Sequence, residues 1–192
     1  THWVQAITAA EDQRFFNHFG LDPVGILRAI VQNITAGRIV SGASTLTQQT
    51  AKNLYYRTDR DLRSKLEEAL NALRLESHYS KEEILAFYAN QIHVRGNGRG
   101  LGVASRYFFD KEISDLGLLE CAFLAGMVKG PDNYNPFIGD ETRRKRSLDK
   151  AQARVGYVLS RMRALEHIDE DTYQRAIQSE IPFKNGSFRF AS

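Results

Sequence analysis

The 192-residue chain carries 26 Lys and Arg against 23 Asp and Glu, a formal net charge of +3, and a single cysteine. That length suits one domain with at most a small appendage, and it is long enough to bury a core without staples. One cysteine excludes an internal disulfide and a cysteine metal site, and with no run of about 18 apolar residues nothing here is a bilayer-spanning helix.

Helical periodicity dominates and strand signals are nearly absent, so the sequence predicts an all-α domain. The chain opens in helical pattern at THWVQAITAAED with no secretory signal, which reads as an excised domain whose targeting segment lies elsewhere. A first helix is expected over about residues 3 to 15, its ends uncertain by ~2 to 4 residues. DPVGILRAIVQNITAG follows, with Asp22 as N-cap, Pro23 at the first helical position and Gly37 as the stop. Further helices are expected at roughly 44 to 54 and 59 to 77. SKEEILAFYANQI then opens with Ser80 and Glu83 in capping-box spacing. The last three are expected at about 114 to 128, 140 to 166 and 169 to 179. Two glycine-rich stretches interrupt the pattern, AGRIVSGAS and RGNGRGLG. The second, with Gly96, Gly98 and Gly100, is a phosphate loop or a flexible connector, and no strand is predicted before it as a dinucleotide fingerprint requires. Cys121, inside LGLLECAFLAGMV, reads as a small buried hydrophobe. Past YNPF and a long basic helix, SEIPFKNGSFRFAS loses periodicity and reads as a linker or the start of another module.

Basic residues cluster in ETRRKRSLDKAQAR, in RTDRDLRSK and at Arg95 and Arg99, a pattern that suits a polyanionic partner or a phosphate-bearing ligand. No nucleic-acid motif accompanies them, and a solvated helix face is the default reading.

Three segments hold candidate chemistry. In DRDLRSKLEEALNALRLE, a turn of about 100° per residue sets Leu62, Leu66, Ala69, Leu70 and Leu73 on one stripe, expected to be core. Lys65 and Glu68 meet on its flank, which alone is an ordinary helix ion pair; Arg63 and Glu67 project from the other flank. In ITAAEDQRFF, Ile7, Ala10 and Phe15 form an inner face with Glu11 beside it, where apolar walls raise a carboxyl pKa toward the range useful for proton transfer. In GASTLTQQTAKN, Ser44, Thr45, Thr47, Gln48, Gln49 and Lys52 form a dense hydrogen-bonding set suited to a sugar and a phosphate, or else a polar cap region.

In these motifs the chain resembles the peptidoglycan glycosyltransferase domain, glycosyltransferase family 51, of class A penicillin-binding proteins and monofunctional transglycosylases. EDQRFFNHFG is similar to the family's first motif at Glu11, Asp12, Phe15, His18 and Gly20. GASTLTQQ is similar to the second at Gly42, Ser44, Thr45, Thr47, Gln48 and Gln49. KEEILAFYAN resembles the fourth at Lys81, Ile84, Leu85, Tyr88 and Asn90, and GPDNYNPF and RVGYVLSRM resemble later segments. The third motif, usually R-K-x-x-E, departs: Lys65 and Glu68 are kept, but Ser64 holds the arginine position. Arg63 is turned away from that position by about 100°, whereas Arg60, one turn earlier, is better placed to supply the charge.

The resemblance implies a lysozyme-like helical lobe with a smaller membrane-facing jaw subdomain, the glycosyltransferase domain over 1–180, the jaw at approximately 35–58, and a linker or following module at 181–192. It implies polymerisation of lipid II into β-1,4-linked glycan strands, with inversion and release of polyprenyl pyrophosphate. Glu11 is then the general base on the acceptor 4-hydroxyl and Glu68 the second catalytic glutamate, helping to hold the leaving group. Lys52, Arg60 and Lys65 match cations near the pyrophosphate, and Ser44, Thr45, Gln48 and Gln49 shape the donor site and hold the first motif. Asp12 bonds the neighbours of Glu11 or the second motif, and His18 fixes the turn before Gly20. No cofactor is required by this chemistry, although Glu68 leaves room for a divalent cation, Mg or Mn. The implied partners are lipid II, the growing glycan strand, a membrane surface met by Ile39, Val40, Leu54, Tyr55 and Tyr56, a moenomycin-type inhibitor and a transpeptidase domain in a longer parent, with no nucleic acid. The implied location is the outer face of a bacterial cytoplasmic membrane, through an anchor absent from this chain. Other readings are a wall hydrolase using Glu11 as general acid, a non-catalytic lipid II or wall-binding module, and a basic helical nucleic-acid binder. The last leaves the first two motifs unexplained.

Overall fold

A computed structural model describes residues 2–40, 42–55, 62–96 and 98–184. Among them are nine α-helices, three 3-10 turns and one two-stranded hairpin. The chain divides into two compact units, one of residues 1–10 and 89–192, the other of residues 11–88.

The first unit is built on α7, Leu118–Met127, whose residues from Glu120 to Met127 are all buried. A helix apolar on every side belongs at the centre of a bundle, and α7 packs along α8, Glu141–Ala164. The stripe of α8 that closes this contact is Ser147, Ala151, Val155, Val158, Leu159 and Met162, at three- and four-residue spacing. Gly126 lets the helices approach, since a Cβ there would lie 2.9 Å from Arg154 Cγ. Arg154 Nε donates to the Gly126 carbonyl at 3.1 Å. On α6, Leu101–Phe109, the rings of Phe108 and Phe109 join Phe123 and Phe183, with Phe109 and Phe183 stacked at 5.6 Å. Lys184 N–H donates to the Phe108 carbonyl at 2.8 Å and ties the end of the described chain to that cluster. Neither α6 nor the hairpin before it is expected from sequence. Just before RGNGRGLG, β1, His93–Val94, pairs antiparallel with β2, Gly98–Arg99, inside it, and Gly100 is the N-cap of α6. Gly96, Gly98 and Gly100 all have positive φ, the region open to glycine, which accounts for their recurrence.

The second unit holds α2, Pro23–Ala36, α3, Leu46–Leu54, α4, Leu62–His78, and α5, Lys81–Asn90, through Tyr88. The first predicted helix stops at Glu11 (α1, His2–Glu11), and Phe15–Asn17 is a separate 3-10 turn. Pro23 opens α2 and Gly37 closes it in the left-handed region, as expected. Asp22 sits at the N-cap, but its carboxylate accepts from Arg14 Nε at 3.2 Å instead of capping. Ser80 and Glu83 form both bonds of a capping box.

The stripe expected to be the core of α4 faces partly outward, with Ala69 and Leu73 half-buried. Leu66 is 63% exposed and Leu70 48%, while Ala72 and Leu75 are buried. The side chain of Leu62 lies outside the described residues. Positions 72 and 75 lie roughly 180° around the helix from 70 and 66, so the helical period is right and its phase is set by the packing of α4 on α3. On α2 only Gly25 and Ala29 are buried. Leu27, Ile30, Val31 and Ile34, all exposed, share one helix face.

Two predictions follow from packing. Burial first, and then the nearby Glu120 charge, push the Cys121 thiol from 9.0 up to about 11. Because the thiolate is the reactive form, Cys121 should resist a thiol reagent at pH 8 in the native protein and react on unfolding. By linkage its contribution to stability is complete below the ordinary value and is lost as pH rises through about 11. Gly20, at φ 74°, would place a Cβ 3.0 Å from the backbone of Ala72. Gly20→Ala should lower unfolding stability by about 1–3 kcal/mol in urea titration.

Candidate active site

The described candidate residues, Glu11, Asp12, Ser44, Thr45, Gln48, Gln49, Lys52, Lys65 and Glu68, fall within the second unit. Arg60, with Tyr56 and Arg57, lies outside the described residues.

The site is assembled around the N-terminus of α3, whose first N–H groups have no partner within the helix. Thr45 is the N-cap: its Oγ1 accepts from Gln48 N at 3.1 Å, and Gln48 Oε1 accepts from Thr45 N at 3.0 Å. The Leu46 N–H donates to Asp12 Oδ2 at 2.9 Å, across 34 positions of sequence. Asp12 is 7% exposed and also takes His18 Nε2 at 2.9 Å. A carboxylate only accepts, so the His18 proton on this side is on Nε2. The Thr45 hydroxyl donates to the Gly20 carbonyl at 2.6 Å. Two bonds thus join the first motif to the second, and Glu11, half-buried at the end of α1, immediately precedes the joint.

The second motif is less solvent-facing than its polarity suggests. Thr45, Thr47 and Gln48 are buried, and Gln49 Oε1 accepts from Tyr88 Oη on α5 at 3.2 Å. Ser44 and Lys52 are its exposed members. Ser44 Oγ accepts from Lys65 Nζ at 3.0 Å, and the same ammonium pairs with Glu68 through a very short contact. The Glu68 side chain is 12% exposed and that of Lys65 51%. Second and third motifs therefore meet in a Ser44–Lys65–Glu68 cluster with its cation on the water side. Arg63 pairs with Glu67 along α4 at 3.2 Å, consistent with its projecting away from the Ser64 position.

Among the described residues, no group of three or more His, Cys, Asp and Glu side chains comes together to hold a metal ion. Glu68, the one residue with room for a divalent cation, already faces the Lys65 ammonium.

Glu76 went unmarked in the sequence. It lies on α4 with a side chain 4% exposed, paired with Lys81 at 2.6 Å. Its only signal is its place one turn after Ala72 on the buried side of α4.

A helical domain with a half-buried glutamate beside a capped polar helix, and a lysine–glutamate pair on the next helix, has the parts of a sugar-transferring enzyme. Residues 1–163 match the family described as Transglycosylase, and the chain belongs to it. It is a glycosyltransferase domain of peptidoglycan synthesis at the level the family defines. It is 39% identical over 183 residues to penicillin-binding protein 1A of Aquifex aeolicus (strain VF5), covering 95% of this chain and 24% of that protein. To penicillin-binding protein 1A of Neisseria flavescens it is 38% identical over 179 residues, covering 93% and 21%. The chain thus spans a quarter or less of these relatives. A solved structure of penicillin-binding protein 1A from Haemophilus influenzae is similar over 74% of this chain and 17% of that one, with 26% identity and a TM-score of 0.47.

Asp12→Ala would leave the Leu46 N–H and His18 Nε2 buried without an acceptor. At about 1–3 kcal/mol for each stranded group, the variant should lose roughly 3 kcal/mol or more in denaturant unfolding. Arg14→Ala would strip the buried Asp22 carboxylate, its side chain 7% exposed, of the Arg14 guanidinium, and should cost about 1–3 kcal/mol.

Proposed function

We propose that this domain polymerises lipid II into β-1,4-linked glycan strands, with inversion at the donor anomeric carbon and release of polyprenyl pyrophosphate. The observation that carries the reading is the joining of the three motifs within one unit: Asp12 to Leu46, Thr45 to Gly20, and Ser44 to the Lys65–Glu68 pair. Glu11 takes the proton of the acceptor 4-hydroxyl as that oxygen attacks. Charge then grows on the departing pyrophosphate, and fixed cations stabilise it more than they stabilise the ground state. Lys65 supplies one such cation, oriented by Glu68 and Ser44, and Lys52, exposed on the last turn of α3, supplies a second. Arg60 is the third in this reading and covers for Ser64. Asp12, Thr45, Gln48 and Gln49 act by holding the site's shape, while Ser44 lies on its open side.

The substrate's lipid calls for a membrane surface, and the exposed apolar residues of the second unit suit one. Leu27, Ile30, Val31 and Ile34 on α2, Ile39 and Val40 after it, and Leu54 and Tyr55 at the end of α3 stand in water, accompanied by Arg38 and Lys52. Apolar area with basic neighbours favours an interfacial position. No helix among the described residues is long and apolar enough to cross a membrane. The domain works at the outer face of the cytoplasmic membrane, within a longer protein that includes a transpeptidase.

Labelled lipid II in detergent, with glycans separated on a gel, tests the reading. The wild-type domain should give a ladder that moenomycin abolishes. Glu11→Gln should lower the polymerisation rate by at least about 100-fold while remaining folded. A ladder unaffected by Glu11→Gln would remove Glu11 as the base; retention of lipid II without any ladder would leave a binding module.

A further inference from the structure

The fourth motif has no part in the chemistry above, yet its first residue, Lys81, lies at a crossing of the other motifs. Lys81 Nζ is 2.6 Å from Glu76 Oε1 and 4.4 Å from the centre of the Phe15 ring. The same Glu76 oxygen accepts from Thr47 Oγ1 at 2.6 Å. Thr47 and Phe15 are each 0% exposed, and the side chains of Glu76 and Lys81 are 4% and 17% exposed. One carboxylate oxygen thus gathers α3 through Thr47 and α5 through Lys81, while Lys81 reaches the first motif through the face of Phe15.

We infer that Glu76 and Lys81 are positioning residues that fix α3 against α4 through Thr47, and so set the second motif relative to Lys65 and Glu68. The functional half of this inference rests on the polymerase reading above. A buried ion pair is a poor way to gain net stability, because its desolvation cost offsets most of its attraction. What it supplies is geometry: a short charged bond satisfied only at one separation. The Thr47 hydroxyl faces Glu76 while Ser44, three residues earlier, faces Lys65. One bond just before α3, at Ser44, and one in its first turn, at Thr47, therefore meet two acid-bearing turns of α4, Glu68 and Glu76, and fix how α3 sits on α4. Tyr88 on Gln49 adds a third bond from the fourth motif. Displacement by about 1 Å in such a site is enough to lower turnover about 100-fold.

The test uses Thr47→Val, which deletes the hydroxyl at nearly constant shape, against Thr47→Ser, which keeps it, together with Glu76→Gln and Lys81→Met. Glycan synthesis from lipid II is measured beside native-state hydrogen exchange of α3, with α7 and α8 as internal reference. Thr47→Val and Glu76→Gln should lower kcat about tenfold or more with KM within about twofold, the pattern of lost transition-state alignment. Thr47→Ser should stay within about threefold of wild type. Exchange in α3 should accelerate at least about tenfold well below the unfolding temperature, with α7 and α8 unchanged. Unchanged kcat in Thr47→Val and Glu76→Gln, or unchanged α3 exchange, overturns the assignment. If Lys81→Met does not fold, the uncharged Thr47 pair still decides. If the wild type makes no glycan, the polymerase reading falls, and α3 exchange alone supports or overturns the clamp.

Discussion

A carboxylate taken out of water costs several kcal/mol unless its lone pairs are filled, and Asp12 fills its own with the His18 imidazole and the first N–H of α3. That choice of partners has a consequence for the whole second unit. A helix N-terminus carries unpaired donors and the positive end of its dipole, so an acid placed there relieves two costs at once. Asp12 thereby holds α3 where Thr45 can reach Gly20, and Gly20 must be glycine because α4 passes directly against it. The polar residues of the second motif are drawn into this joint. Thr45 and Gln48 cap each other, Thr47 reaches Glu76, and Gln49 meets Tyr88. Ser44 remains on the open side, bonded to the cation that the catalytic reading needs.

The apolar surface follows a different logic. Large apolar side chains ordinarily belong inside a folded unit, and here Leu66 and Leu70 of α4 and Leu27, Ile30, Val31 and Ile34 of α2 are outside. Facing them outward exposes several large apolar side chains at about 25 cal/mol per Å² of area, an unfavourable arrangement in water that a lipid surface relieves. In the first unit α7 is enclosed and its aromatic cluster takes in Phe183, with Ile113, Leu148 and Tyr157 among its exposed large side chains.

Much of this was legible in the residue pattern. A proline and a glycine marked α2; Ser80 and Glu83 marked α5; the motifs around Glu11 and Gln48 carried the family. These features are local, decided by dihedral preference and by hydrogen bonds over three or four positions, so the sequence contains them directly. The hairpin at RGNGRGLG was not legible, because two-residue strands have too little length to show a period. Helix α6 followed it unnoticed, since its glycine-rich approach masked the start.

The sequence by itself determined that the chain is helical, where most helices begin and end, and which motifs carry its family. Only the tertiary structure decided which face of each helix is inside, that Asp12 spends its carboxylate on the N-terminus of α3, and that Glu76 and Lys81 form a buried pair beneath Thr47 and Phe15. The reason is physical. A helical repeat of about 3.6 residues fixes the spacing of a stripe, whereas its phase, and the partner of a buried charge, depend on which segments distant in sequence pack beside it.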